Sequence, residues 1–149
     1  MIGAWIGLVL ACGSGCRTAS QMPSTDADAA VGMPTLARDI QPILDANCTR
    51  CHALGAGEPH GNPHFTVDSS MTSLGGTSQC TSAGVPVRYV VAGRPEDSFL
   101  MFKLGAPTNL IITDMKCAKT MPYNADAPLA DSDPVAVARI RQWILDGAL

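Results

Sequence analysis

Five consecutive positions restrict this chain more than any others: Cys48, Thr49, Arg50, Cys51 and His52. They close a stretch, TLARDIQPILDAN, in which Leu36, Ile40, Ile43, Leu44 and Asn47 recur at helical spacing. Two thiols three positions apart on a helical turn lie on one side of it, and an imidazole follows the second at once. Pro42 does not suit a helix interior. The helix is therefore expected to start near Asp39 as its cap, with Pro42 in the first turn, and to run into the cysteines. There is room for an extra kinked turn before it.

Four kinds of chemistry use cysteines paired in this way. In haem attachment, each thiol adds to one of two vinyl groups on neighbouring pyrroles, and the histidine that follows lies beneath the iron as its ligand. A structural zinc site asks for a second pair of Cys or His ligands. Cys80 and Cys117 stand too far apart in sequence to be such a pair, although ligands scattered along the chain would suffice. A thioredoxin-type dithiol belongs in a βαβ context, which the sequence lacks. A plain disulfide at this spacing would be strained and would give the histidine no purpose. Haem c, one group held covalently by Cys48 and Cys51 with His52 on the metal, is the reading the motif favours.

The composition agrees with a bound group. Aromatic residues make up only 5% of the chain, so the protein core would be thin and aliphatic, and a porphyrin would help to fill it. The net charge of −3 and a pI of about 5.4 come without clustered Lys and Arg. Nucleic acid is thereby excluded as a partner.

Along the chain, residues 1–11 form an uncharged apolar run, too short to span a bilayer and of the length of a secretion-signal core, though without the usual basic start. Residues 12–34 are small, polar and proline-dotted, and read as a flexible tether. Residues 35–149 form the domain. Within it, 53–93 is rich in Gly, Pro, Ser and Thr, with VPVRYVVAG as a short extended piece. RPEDSFLMFKLG reads as a short helix that Gly105 stops. DSDPVAVARIRQWILDGAL is the clearest helix, with Asp133 as cap, Pro134 at its first position and Gly147 at its end. The expected fold class is all-α: a small helical domain with long irregular loops wrapped around one haem.

The second axial ligand is sought in the loop KTMPYN before the last helix. Met121 offers a soft thioether, which favours ferrous iron, and Pro122 would stiffen its loop. Six other methionines compete, since methionine commonly fills gaps in cores. Met115 is the main rival. Met101 reads as core, and His60 and His64 as exposed loop residues.

The order DIQPIL, CTRCH, VAGRPEDSFLMFKL, TMP, ARIRQWILDGA resembles the single-haem c-type cytochrome domains secreted by many environmental bacteria. The resemblance runs from about Leu36 to Leu149. It implies that the helical domain is cytochrome c-like, that Cys48 and Cys51 bind haem, that His52 is the proximal ligand and that Met121 is the distal one. It also implies that the first and last helices pack together through Ile40, Leu44, Ile140, Trp143 and Ile144. The chain departs from the simplest pattern in a long Ser/Thr/Gly stretch carrying Cys80 and in Cys117 just before the methionine loop. With Cys48 and Cys51 committed to haem, Cys80 and Cys117 are the natural disulfide partners in an exported protein. The alternative is two buried free thiols.

Cys12 follows Leu8-Val9-Leu10-Ala11 and suits a lipoprotein processing site, with Cys16 second and an ordinary cleaved signal as the alternative. The functional expectation is an electron carrier: a monomer in the cell envelope, exported and either periplasmic or membrane-anchored, exchanging single electrons with redox protein partners. The alternative is a haem module that binds or senses small ligands through a labile or open sixth site. Peroxidase-like activity is not expected, because no His and Arg pair such as His64 and Arg88 is placed over the iron by anything in the sequence.

Overall fold

Pro42 and Thr35 decide how the domain begins. In the computed structural model, which describes residues 32–53 and 63–148, Leu36–Ile40 form a π-helical turn and α1, Gln41–Asn47, follows directly with Pro42 in its first turn. Thr35 and Asp39 cap the start reciprocally. Thr35 Oγ1 accepts from the Arg38 N–H, and Asp39 Oδ2 accepts from the Thr35 N–H at 2.8 Å. The cap is therefore Thr35, four residues before the expected one. The apolar segment 1–11, residues 12–31 of the tether, Cys12, Cys16 and His60 lie outside the described residues. The chain divides into Met1–Val31 and Gly32–Leu149, and all that follows concerns the second unit.

The helix that enters the cysteines is broken at Cys48, whose φ of −123° leaves the helical range. A second short helix, α2, covers Thr49–His52. The reason lies in polar side chains that compete for backbone carbonyls. Asn47 Nδ2 donates to Ile43 O at 2.9 Å and Thr49 Oγ1 donates to Asp45 O at 2.9 Å.

The all-α expectation is overturned. After α3, Ser70–Leu74, the strands β1, Thr77–Ser82, and β2, Val85–Arg88, pair as a two-stranded antiparallel sheet with an irregularity in register between Thr77 and Thr81. Ala83 and Gly84 both have positive φ, 49° and 84°, the condition for a two-residue hairpin turn that matches strand twist. Pro86 is tolerated because a two-stranded sheet consists only of edges. The stretch expected as loop thus holds a helix and a strand, and the fold is a set of short helices with a hairpin.

A 3₁₀ turn, Pro95–Asp97, precedes α4, Phe99–Lys103. The single helix expected here is interrupted at the buried Ser98, whose hydroxyl accepts from the Val91 N–H and donates to Arg94 O. Short α5, Leu129–Ser132, leads to α6, Pro134–Leu145. Asp133 Oδ1 accepts from the Ala136 N–H at 2.9 Å, and Gly147 follows the helix with φ 103°, as the cap and stop signals require.

α6 packs on the π-turn. Ile40, Leu44, Ile140, Trp143 and Ile144 are each 0–1% exposed and belong to one cluster with Phe65, Leu74, Leu100, Met101, Leu104 and Leu129. Arg139 on α6 reaches Asp39 at 3.1 Å and ties the two elements at the surface. A second cluster of Val87, Phe99 and Cys117 underlies the hairpin. Among the described residues no helix is long and apolar enough to cross a membrane.

Candidate cofactor-attachment site

The break at Cys48 builds a compact turn. The Cys48 N–H donates to Leu44 O at 2.7 Å, and Cys48 O accepts from both the Cys51 N–H at 3.0 Å and the His52 N–H at 2.9 Å. Neither cysteine is in a disulfide. They differ in surroundings: Cys51 is exposed, whereas Cys48 is partly covered and packs against the main apolar cluster. Burial first, then the charge of Asp45 and the neighbouring Cys51, pushes the Cys48 thiol up to about 12. A dithiol oxidoreductase works through a thiolate stabilised near or below neutral pH, and the environment of Cys48 does the opposite.

His52 is oriented from behind. Its Nδ1 stands 3.1 Å from the Pro63 carbonyl oxygen. An oxygen of that kind only accepts, so Nδ1 carries the proton and Nε2 has the lone pair that can bind a metal. Setting the tautomer through the non-ligating nitrogen is the usual support of a metal-binding histidine. Phe65 backs the arrangement: its N–H donates to His52 O at 2.7 Å and its ring lies 5.5 Å from the imidazole. The buried amide of Gln41 joins the parts, with Nε2 donating to Phe65 O and to Asp45 Oδ1, both at 2.8 Å. Pro63 and Phe65 thus both meet His52, and His64 between them is half-buried, not exposed as expected, with its backbone bonded to Ser73 and Ser69.

Met121 stands on a separate loop and is held by its backbone at both sides. Its N–H donates to Lys103 O at 2.6 Å at the end of α4, and its carbonyl accepts from the Leu129 N–H at 3.1 Å at the start of α5. The peptide to Pro122 is cis. Cys48 rests on the main apolar cluster, to which Leu129, the donor to Met121 O, also belongs, but no hydrogen bond or ring contact among the described residues joins Met121 to Cys48, Cys51 or His52. Met115, the rival, is 77% exposed in the turn before Cys117. Met101 is fully buried in the core.

Cys80 in β1 and Cys117 form a disulfide, which fastens the hairpin to the loop that leads to Met121. Arg88 is exposed and donates to Gly75 O. Tyr123 is exposed too, and its hydroxyl accepts from Lys119 Nζ at 2.9 Å.

The residues fit haem c by their chemistry: two thiols on one turn outside any disulfide, an imidazole whose tautomer a backbone carbonyl selects, and, on a separate anchored loop, a half-buried thioether. Among the described residues no group of three or more Cys, His, Asp or Glu gathers. Two hollows of about 400 and 640 Å³ are lined by Met33, Gln41 and Met71, and by Met101, Val137 and Arg141 respectively. Neither is lined by the cysteines, His52 or Met121.

Sequence reading missed Pro63, Phe65, Gln41 and Lys103. Asn62-Pro63-His64-Phe65 carries no motif, and a carbonyl that acts through its backbone leaves no mark on residue type. No known protein family, no characterised protein and no solved structure matches this chain.

Proposed function

We propose that this protein is an electron carrier of the cell envelope, holding one haem c with His52 and Met121 as axial ligands. The observation that carries the reading is the pairing of two thiols on one turn, neither in a disulfide, with an adjacent imidazole whose Nδ1 is committed to the Pro63 carbonyl. Cys48 and Cys51 would each add across one vinyl group, sulfur to one carbon and hydrogen to the other, so attachment needs no oxidant. Once bound, haem supplies a one-electron couple at its iron.

The rest is done by the chain. Pro63 and Phe65 keep the imidazole in one orientation, so its Nε2 need not reorganise as the charge on the metal changes. Met121 contributes a soft sulfur that raises the potential. Its two backbone bonds favour a ligand that stays in place over the open sixth site of a gas-binding module. Partners would be redox proteins of the envelope. A lipid on Cys12, or on Cys16, would keep the carrier near them, and the tether would raise the local concentration at which it meets them.

The full chain matured in a host with haem-ligation machinery tests the reading. The expected product is red, heavier by one porphyrin, shows the weak near-infrared Met–iron band when oxidised and binds CO poorly when reduced. Met121→Ala should lose the band and bind CO readily, while Met115→Ala should not. Colourless wild-type protein without added mass would end this reading. Rapid CO binding by the coloured wild type would replace the carrier by the ligand-binding module.

A further inference from the structure

The chain has three lysines, all between positions 103 and 119. Lys116 and Lys119 are exposed, but Lys103 is partly buried at the end of α4, with its Nζ 5.2 Å from the centre of the Phe99 ring. Burying an ammonium is costly unless its protons find acceptors. None of the ion pairs among the described residues includes Lys103. Its Nζ donates instead to Cys117 O at 2.7 Å and Lys119 O at 2.8 Å. Its own carbonyl accepts from the Met121 N–H at 2.6 Å. One residue therefore bonds to three of the five residues 117–121, a run with no helix or strand to occupy its carbonyls.

We propose that Lys103 is the positioning residue for the sixth ligand: by gripping loop 117–121 it holds the Met121 thioether in place for iron. This rests on the His/Met reading above. The Cys80–Cys117 disulfide fixes the loop four residues before Met121, and the Leu129 N–H bond to Met121 O fixes it at the other end. The ammonium of Lys103 at Lys119 O and its carbonyl at the Met121 N–H supply the ties between those points. Hydrogen bonds to a charged group are the strong ones, and losing the one to Lys119 O corresponds to roughly ten- to a hundredfold more frequent opening of the loop.

The test uses the full chain matured with haem, as wild type, Lys103→Leu, Lys103→Arg and Lys119→Ala. Three quantities are read: the near-infrared Met–iron band, the rate of CO binding to the reduced protein, and amide hydrogen exchange over residues 117–121. Lys103→Leu should keep its covalent haem and the backbone bonds of Met121, weaken the band, and gain about tenfold in CO binding and in exchange over the loop. Lys103→Arg, which keeps the charge and the donors, should recover most of the band. Lys119→Ala leaves its backbone carbonyl in place and should match wild type. If Lys103→Leu fails to fold, Lys103→Gln takes its place with the same expected direction. A neutral variant with the wild-type band and wild-type exchange overturns the role of Lys103 while leaving the haem reading intact. Colourless wild-type protein removes both, and shows it before any substitution is made.

Discussion

Cys48 and Cys51 sit on one turn but in unlike surroundings, and their reactivity should differ accordingly. Cys51 is exposed. Cys48 rests against the core with its thiol held protonated, at about 12. In chain prepared without haem, an alkylating reagent at neutral pH should label Cys51 well before Cys48, as read by peptide mass. Haem-loaded protein should take no label at either. Gly105 is a second position where one residue matters. Its φ of +82° favours glycine, and a Cβ there would lie 2.6 Å from Pro128 Cβ. Gly105→Ala should therefore lower the unfolding free energy by about 2–3 kcal/mol in a denaturant titration. The stop signal at Gly105 was legible in sequence, as was the Cys48–Cys51–His52 unit, because both depend on residue type. The Pro63 carbonyl and the Lys103 grip were not, because they depend on which distant backbone the fold brings near.

At the scale of elements, Asp39 ties the π-turn to α6. Its carboxylate is held below its ordinary value of 3.8, chiefly by the Thr35 N–H, then by the Arg38 hydrogen bond, with Arg139 contributing charge. A carboxylate with a depressed folded pKa stabilises the fold above its ordinary pKa, and that contribution fades as pH falls through the lowered value. Asp39→Asn should thus be less stable than wild type at neutral pH, and the gap should narrow as pH drops below about 4. Thermal melts of both proteins across that range would check it. α6 was readable from Asp133, Pro134 and Gly147 together with its apolar spacing, because each signal acts within a few residues. The hairpin was not. Thr77–Ser82 carries no alternation of apolar side chains, and its turn is Ala83-Gly84 where the strong signal is Asn-Gly or Asp-Gly. What holds that strand is its pairing with β2 and a bond from Cys80 to a residue 37 positions away.

Across the whole unit, that disulfide joins two parts with few apolar residues of their own. Closing a loop of 37 residues corresponds to roughly 4 kcal/mol in the chain-entropy view. Replacing Cys80 and Cys117 together by Ala should cost up to about that much in unfolding free energy. The loss should show first as faster amide exchange in the hairpin and in residues 110–121, ahead of α6. Another feature at this scale is that the apolar body under Cys48 draws its largest side chain, Trp143, from α6, and that Arg139 meets Asp39 from a hundred positions away. The cluster on which that sulfur rests is thus completed only when α6 packs. On the haem reading, an enzyme that stitched a porphyrin to both sulfurs would therefore act on a chain still unfolded, before α6 packs. Refolded, unmodified protein should be a poorer acceptor than nascent or denatured chain, and closure of the last helix becomes the event that seals the product.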